Sequence, residues 1–257
     1  MNALAKCATL LLLLTVLSTL TPPLWAGSIM VSNDEWMFGN CCLASDSDAQ
    51  FASNIAQWLT GGSGSILILT GNFGLAGSAL NTLLTGDGYG VTQTTTVPAS
   101  LSGYAAVFVG GEVVDNALLT NYVNGGGNVF LEAGTGAWSN ASDEAAAWNP
   151  FLNAFGLGLA PDYNNVLNSN IDVSAFQTQG PYGPALFGGV SSVFVDNGND
   201  VTIVSPGPNV QLFTDGAGDA LYGAMRTQTA VPEPSTLLLL AGPLLALGLR
   251  RSRKRPA

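Results

Sequence analysis

Short apolar runs alternate with amphipathic stretches through the first part of the chain. The runs at 66–69, 104–109 and 129–131 are continuous and are followed by glycine, a pattern typical of strands buried on both faces of a parallel sheet. Between such runs, apolar residues spaced three and four apart predict helices, one over 46–60 and one that begins after Asp115. This alternation predicts an α/β fold with a mostly parallel sheet, right-handed crossovers and helices on both faces.

Weaker patterns fill in the rest of this region. Two further helices are predicted, over 76–84 and from Ser142 to Phe155, and two further strands, over 28–31 and 89–97. After Gly158, Asn, Gly and Pro interrupt short β-like runs, which indicates a β-rich C-terminal part. We expect these runs to extend or edge the same sheet; they lie at 193–195, 201–204, 210–213 and 220–222.

Both ends of the chain carry apolar segments next to basic residues. Residues 1–26, with Lys6 before the apolar stretch and Ala26 at its end, predict a secretory signal peptide that is cleaved. At the other end, a predicted apolar helix over 236–249 precedes the basic end 250–255, an arrangement that stops transfer across a membrane. This run is short for a stable span of about 20 residues. A transient anchor that is cut is therefore expected, with a permanent anchor as the alternative.

The tail, residues 231–257, resembles the PEP-CTERM sorting signal of exopolysaccharide-producing Gram-negative bacteria. The matching residues are Val231, Pro232, Glu233 and Pro234, followed by the apolar segment and by Arg250 and Arg251. The signal peptide implies export across the inner membrane by the Sec translocon. The resemblance implies transient anchoring in that membrane, processing by an exosortase-type peptidase, and a final place at the cell surface or in the extracellular matrix. Exopolysaccharide is the partner that this destination suggests.

The region between the two end segments is strongly acidic. Of the 7 Lys and Arg residues only Arg226 lies in 27–226, whereas all 17 acids except Glu233 lie there, which leaves a net charge of −15. Such a surface repels nucleic acids and anionic lipid head groups, so nucleic-acid binding is excluded. Neutral sugars and divalent cations are the contacts that this composition favours.

The body, residues 27–226, resembles the class I glutamine amidotransferase-like fold, which includes ThuA-like proteins; a linker over 227–230 follows it. The resemblance rests on the glycine-rich strand and helix ends Gly110-Gly111, 122–127 and 134–136, and on 186–192. It implies a flavodoxin-like sheet. Enzymes of this group use a Cys served by a His, but here Thr135 stands at the nucleophile position and the chain contains no His. The resemblance therefore implies a domain without that catalytic apparatus.

Two glutamates follow neighbouring predicted strands at their carboxyl ends, where α/β sheets form binding crevices. Glu112 and Glu132 could act as acid and base on a glycosidic bond, or one could hydrogen-bond a turn while the other is solvated. We expect a crevice that binds a ligand, and we assign no catalytic residue. The residues expected to line it are Asn72, Gly110, Gly111, Glu112, Glu132, Gly134, Thr135 and Gly136.

Two smaller features leave alternatives open. The segment 196–200 is rich in oxygen ligands like a calcium loop, but it lacks the downstream Glu of an EF-hand, so tight turns are the simpler interpretation. We expect no cofactor or metal, with Ca²⁺ as the alternative. Cys41 and Cys42 could form a bond with each other, could pair between chains, or could be two small buried hydrophobic residues.

From the sequence we thus expect a secreted, exosortase-processed envelope or matrix protein that is not an enzyme, with a structural or ligand-binding domain linked to exopolysaccharide. The alternatives are a carbohydrate-active hydrolase that uses paired carboxylates, and a binding protein that stays permanently tethered to the membrane.

Overall fold

The computed structural model describes residues 25–44, 47–71, 73–111, 115–134 and 138–228. The predicted signal peptide and the sorting tail lie outside these ranges. The strands are β1 (Trp25–Ser32), β2 (Ser65–Leu69), β3 (Gly90–Thr94), β4 (Ala106–Gly110), β5 (Asn128–Glu132), β6 (Leu157–Tyr163), β7 (Ser169–Asp172), β8 (Ser192–Val195), β9 (Asn199–Ile203), β10 (Val210–Thr214) and β11 (Ala220–Gln228). The helices are α1 (Asp48–Thr60), α2 (Phe73–Ala76), α3 (Ser78–Gly86), α4 (Asn116–Asn124), α5 (Ala141–Leu152) and α6 (Gly183–Leu186), with 3₁₀ turns at Asn153–Phe155 and Ser174–Thr178.

The main sheet has seven strands in the order β10-β11-β1-β5-β4-β2-β3. The five strands from β1 to β3 in this order are parallel. Strand β11 runs antiparallel to β1, because Thr227 contacts Gly27 at one end while Leu221 contacts Asn33 at the other. Strand β10 is antiparallel to β11. The predicted mostly parallel α/β sheet is confirmed.

Side chains alternate between the two faces of the parallel strands, so that each face carries its own core. One core combines Met30, Ile68 and Phe130 of the sheet with residues of α1 and α3. The other combines Val31 and Leu131 with residues of α4 and α5. Helices therefore cover both faces, which is why the strands are continuous apolar runs rather than alternating ones.

Aromatic rings bind the C-terminal strands to the core that α1 covers. Phe187, which follows α6, contacts Phe51 of α1 at 4.8 Å and Phe213 of β10 at 4.7 Å between ring centroids. Tyr222 of β11 lies 5.2 Å from Phe51 and 5.4 Å from Phe187. Aromatic contacts at these separations add about 1 kcal/mol each beyond the burial of their area. They fix β10 and β11 against α1.

The direction of each crossover explains which face its helix covers. The connections from β1 to β2 and from β2 to β3 run one way along the sheet, with α1 and α3 on one face. The connection from β4 to β5 runs the opposite way, with α4 on the other face. Crossovers of one hand require this switch. The helices that follow β2 and β4 therefore lie on opposite faces of the sheet, and so do the helices that follow β5 and β1. A crevice is expected at the carboxyl ends of each of these neighbouring strand pairs.

Two of the C-terminal strand predictions were wrong about the sheet that the strands join. The runs at 210–213 and 220–222 do join the main sheet, as β10 and β11. The runs at 193–195 and 201–204 instead correspond to β8 and β9, which pair antiparallel with β7 and β6 in separate two-stranded sheets. Each small sheet packs on a different core: β8 on the core of α1, and β9 on the core of α5.

The helix predicted over 76–84 is interrupted. Gly77 is extended, with φ −66° and ψ 149°, and it separates α2 from α3. The side chain of Asn40 causes the break, because its Oδ1 accepts a hydrogen bond of 2.9 Å from the amide of Ala79 in the first turn of α3. A side chain from a distant segment thus takes the capping role that the local sequence does not provide.

Within the described part of the chain, none of the helices combines the length and the apolar character needed to cross a membrane.

Asp115 caps α4 as predicted, since its Oδ1 accepts hydrogen bonds from the amides of Ala117 and Leu118 at 2.9 and 3.3 Å. We expect Asp115→Ala to lower the free energy of unfolding by about 1 kcal/mol, because two helix amides lose their acceptor. Asp115→Asn keeps an acceptor oxygen and should stay close to the wild type. Urea denaturation of the three proteins measures this, and equal losses in both variants would contradict the capping role.

Candidate functional site

Three acidic side chains meet at the carboxyl ends of β1 and β5, one of the two places where the helix face switches. Glu132 is the last residue of β5, and Asp34 and Glu35 follow the end of β1. Their exposed fractions are 0% for Glu132, 0% for Asp34 and 4% for Glu35. We call these three residues the acid cluster.

The strand register brings the cluster together. Ser32 of β1 pairs directly with Glu132 of β5. The Ser32 hydroxyl then accepts a hydrogen bond from the Asp34 amide at 3.2 Å and donates one to the Asp34 carbonyl at 3.0 Å, which folds the chain back at the end of the strand. The amide of Asn33 donates to the carbonyl of Leu221 at 3.0 Å, which ties the same segment to β11.

Two glycines let the backbone pass close to the cluster. A Cβ on Gly74 would lie 2.6 Å from Oε2 of Glu132 and would collide with the carbonyl of Glu35. Gly134 has a φ of +83°, and a Cβ there would collide with the carbonyl of Asn33. Only glycine fits such close approaches. Gly134, which was predicted to line the crevice, must therefore be glycine because the segment that carries the acids passes directly against it.

Polar groups in and around the cluster lack partners. Neither carboxyl oxygen of Glu132 forms a hydrogen bond to any described residue, and the carboxyl group of Asp34 has only loose contacts with the backbone amides of nearby residues. The hydroxyl of Tyr222 and the side-chain amide of Asn33, both of which are fully buried, also form no hydrogen bond to any described residue. A buried charge without a partner is strongly unfavourable. The surroundings of these acids therefore determine whether their carboxyl groups are ionised or neutral.

Burial shifts the cluster toward the neutral form. It raises the pKa of Glu132 well above the usual 4.5, and the nearby Asp34 and Glu35 raise it further. Burial also raises the pKa of Asp34 from 3.8 to about 8, although backbone amides of Trp36, Asp196 and Glu35 lie close enough to limit the rise. The pKa of the Tyr222 hydroxyl is raised by burial and then by Asp34 and Asp48. At neutral pH, therefore, the neutral form of Asp34 is favoured, and burial shifts Glu132 in the same direction.

Within the described part of the chain, no basic side chain lies close enough to the cluster to reverse this shift. Arg226 is the single Lys or Arg of the body, and the chain has no His. Arg226 lies at the opposite end of the sheet, near the amino-terminal ends of the parallel strands. Its guanidinium donates a hydrogen bond of 2.7 Å to the carbonyl of Trp58 and lies 4.3 Å from the centre of the Trp58 ring.

Two other buried acids differ from the cluster because backbone amides hold them. Oδ1 of Asp48 accepts a hydrogen bond from the amide of Phe194 at 3.1 Å. The two oxygens of Glu144 accept from the amide of Gly134 at 3.0 and 2.9 Å. Asp48 thus ties α1 to β8, and Glu144 ties α5 to the end of β5. These contacts account for both side chains as structural elements.

The structure describes half of the predicted crevice. Gly110, Gly111, Glu132 and Gly134 do lie at the carboxyl edge, and Gly110 pairs with Glu132 in the sheet. Asn72, Glu112, Thr135 and Gly136 lie outside the described residues, so the predicted pair of Glu112 with Glu132 remains a prediction. Sequence reasoning missed Asp34 and Glu35. The available signal was the run Asn33-Asp34-Glu35 directly after an apolar strand.

The segment predicted as a possible calcium loop forms turn contacts. Oδ1 of Asp196 accepts from the amide of Asn168 at 3.0 Å, and Asn197 adopts a positive φ of 62°. Asn199 is fully buried and donates to the carbonyls of Ala141 and Ala160 at 2.8 and 2.7 Å. Among the described residues, no three Asp, Glu, Cys or His side chains are placed to hold a metal ion together.

The two adjacent cysteines are bonded to each other. The Cys41–Cys42 disulfide lies in the turn that follows the acid cluster, where the amide of Cys42 donates to the carbonyl of Gly39 at 3.0 Å. Of the alternatives that the sequence left open, the structure shows the bond between neighbours. The disulfide directly follows Asn40, the residue whose side chain caps the start of α3.

No protein-family model, curated protein or solved structure matches the chain.

The raised pKa values predict an unusual dependence of stability on pH. A cluster carboxyl keeps its proton in the folded state at pH values where the unfolded chain has lost it, so that the folded state binds more protons between pH of about 4 and about 8. The free energy of unfolding should therefore fall as pH rises through this window, by up to about 1.4 kcal/mol per pH unit for each such group. Urea denaturation at a series of pH values measures the slope.

Asp34→Asn removes one titrating group while keeping the shape of the neutral acid. It should flatten the slope and make the protein more stable than the wild type at the upper end of the window, whereas Asp162→Asn, at an exposed position, should leave the slope unchanged. A wild-type stability that rises from pH 4 to 8, or that added CaCl₂ restores at pH 8, would show that the cluster is ionised and would contradict the neutral assignment.

Proposed function

We propose that this chain is an exported protein of the cell envelope or extracellular matrix, processed by an exosortase-type peptidase. Its α/β domain is non-catalytic and has a structural or ligand-binding role linked to exopolysaccharide. The observation that carries the proposal is the tail: the motif Val231-Pro232-Glu233-Pro234, an apolar segment, and a basic end that begins with Arg250 and Arg251. An acidic body without affinity for nucleic acid agrees with a place outside the cell.

The body is proposed to be a rearranged relative of the flavodoxin-like, amidotransferase-like fold. In the flavodoxin order, the second strand lies at the edge, followed by the first, third, fourth and fifth. Here β3, β2, β4 and β5 take the first four of these places, and β1 takes the last. The likeness concerns the arrangement of strands alone, so it brings no activity with it.

Two observations support a non-catalytic domain. The chain lacks the His that a Cys or Ser nucleophile would need, and its two body cysteines are bonded to each other. The acid cluster is fully enclosed, with no exposed surface on Asp34 or Glu132. Enclosed neutral carboxyls suit a role in closing the end of the sheet better than a role in attacking a polymer.

The two ends of the body lie side by side. The hydroxyl of Thr227, which leads into the tail, donates a hydrogen bond of 3.3 Å to the carbonyl of Gly27, the first residue after the predicted signal-peptide cleavage site. Both are at the amino-terminal edge of the sheet, opposite the acid cluster. A domain held at one edge suits temporary anchoring through the tail, followed by release.

The sorting proposal predicts a defined mass. Native protein from the matrix should end near residues 231–234, and Pro234→Ala should leave full-length tail on protein that stays in the inner-membrane fraction, because the peptidase loses its motif. Pro206→Ala changes an exposed proline of the body and should be processed normally. Intact-mass spectrometry of both fractions measures this. Full-length protein in the membrane fraction for all three proteins would mean that the tail is a permanent anchor.

A second candidate function, a carbohydrate-active hydrolase, is favoured by one observation. Glu132 is coupled electrostatically to Asp34 and Glu35, so that a carboxyl with a raised pKa lies beside other acids, as acid–base catalysis requires. In this version Asp34 or Glu35, rather than Glu112, would be the partner of Glu132.

We expect the body, residues 27–227, to release no reducing ends from a panel of polysaccharides, because the cluster is enclosed. These residues form one compact unit with both cores. Glu132→Gln and Asp34→Asn are the two diagnostic variants, and reducing-sugar assays provide the measurement. Release by the wild type that Glu132→Gln abolishes would establish the hydrolase and overturn the non-catalytic proposal.

A further inference from the structure

A cleft opens at the amino-terminal ends of the parallel strands, at the end of the sheet opposite the acid cluster. Its volume is about 460 Å³, within the range of about 300–1,000 Å³ typical of small-molecule sites. The loop before β4 forms one wall, and the end of α4 with the following glycine turn forms the other. Its lining includes Ser100, Ser102, Tyr104, Asn121, Tyr122 and Asn128.

The walls of the cleft are held in place. The Tyr122 hydroxyl donates a hydrogen bond of 2.8 Å to the carbonyl of Tyr104, which links the two walls. The Tyr122 ring lies flat against Gly127, where a Cβ would collide with it. Asn128 donates to the carbonyl of Ala105 at 2.9 Å, which ties the floor to the strand behind it. The cleft is therefore formed before any ligand arrives, which lowers the entropy lost on binding.

Hydrogen-bonding groups of both kinds remain available in the cleft. The side chain of Asn121 is exposed and forms no hydrogen bond with any described residue, so that it offers a donor and an acceptor. Oδ1 of Asn128 remains an acceptor after its amide is used. The hydroxyls of Ser100 and Ser102, 3.0 Å apart, lie at the rim. Such a set matches a ligand whose own groups both donate and accept.

Among the residues that the structure describes, no Asp, Glu, Lys or Arg side chain lines the cleft. An anionic ligand would find no positive partner there and would be repelled by a body of net charge −15. A cationic ligand would find no carboxylate within the cleft. Neutral ligands with many hydroxyl groups and flat C–H faces fit best, because they pair with Asn and Ser and pack against tyrosine rings.

We propose that this cleft binds an uncharged saccharide. The proposal deepens the ligand-binding role proposed above by naming the ligand class, and it rests on that role. The cleft lies next to Gly27, which packs on Gly127 and Val123. A bound sugar would therefore lie at the end of the sheet where both termini of the body are found.

The test is calorimetric titration of residues 27–227 with four uncharged saccharides, cellohexaose, maltohexaose, dextran and mannan, and with polygalacturonate as the acidic counterpart. Asn121→Ala removes the free amide of the cleft. Asn124→Ala is its matched control, since it is an exposed Asn of the same helix that does not line the cleft. Ser102→Trp places a large ring at the exposed rim and should obstruct entry.

We expect at least one uncharged saccharide to bind, with affinity reduced about fivefold by Asn121→Ala, unchanged by Asn124→Ala and abolished by Ser102→Trp. Binding by none of the four uncharged saccharides, equal binding by Asn121→Ala and the wild type, or preferential binding of polygalacturonate would overturn the proposal. Tail processing is read separately from the mass of the native protein. A failure of the cleft is thereby distinguished from a failure of the sorting proposal.

Discussion

The shortage of positive charge is the constraint on which the rest of the body depends. A folded domain with many acids and one arginine cannot neutralise its buried carboxyls through ion pairs. Each buried acid must instead receive hydrogen bonds from the backbone, as Asp48 and Glu144 do, or have its neutral form favoured by burial, as at Asp34 and Glu132. The same shortage leaves the cleft at the other edge without charge. The two ends of this sheet therefore differ in their electrostatics, because one carries buried acids and the other carries an uncharged cleft.

The parts of the fold that sequence reasoning predicted are those that local physics determines. The strands β2, β4 and β5 were recognisable because burial on both faces requires unbroken apolar residues. The start of α4 was recognisable because Asp115 caps it. The pairing of β8 and β9 was not, because their partners are poorly marked: β6 contains Pro161 and is exposed in its second half, and β7 is a short, largely polar strand.

The acid cluster shows why a site can be invisible along the chain. Asp34 and Glu132 are far apart in sequence, and each follows an apolar strand, but no local pattern states that those strands are neighbours. Their adjacency depends on the first crossover passing over β5 and β4 before it reaches β2. Strand order of this kind is a property of the whole sheet. The sequence could place Glu132 at the right edge, yet it could not identify the acids beside it.

The position of the last strand has a mechanical consequence. Strand β11 lies between β10 and β1, and the chain continues toward the tail directly from its end. A pull on the tail, along the strand, would be resisted by the hydrogen bonds of both neighbouring ladders at once, in shear, rather than by opening them one pair at a time. Aromatic packing of Tyr222 on Phe51 would carry part of the load into α1. While the tail anchors the chain, the domain would thus be held through a strand that has hydrogen-bonded neighbours on both sides.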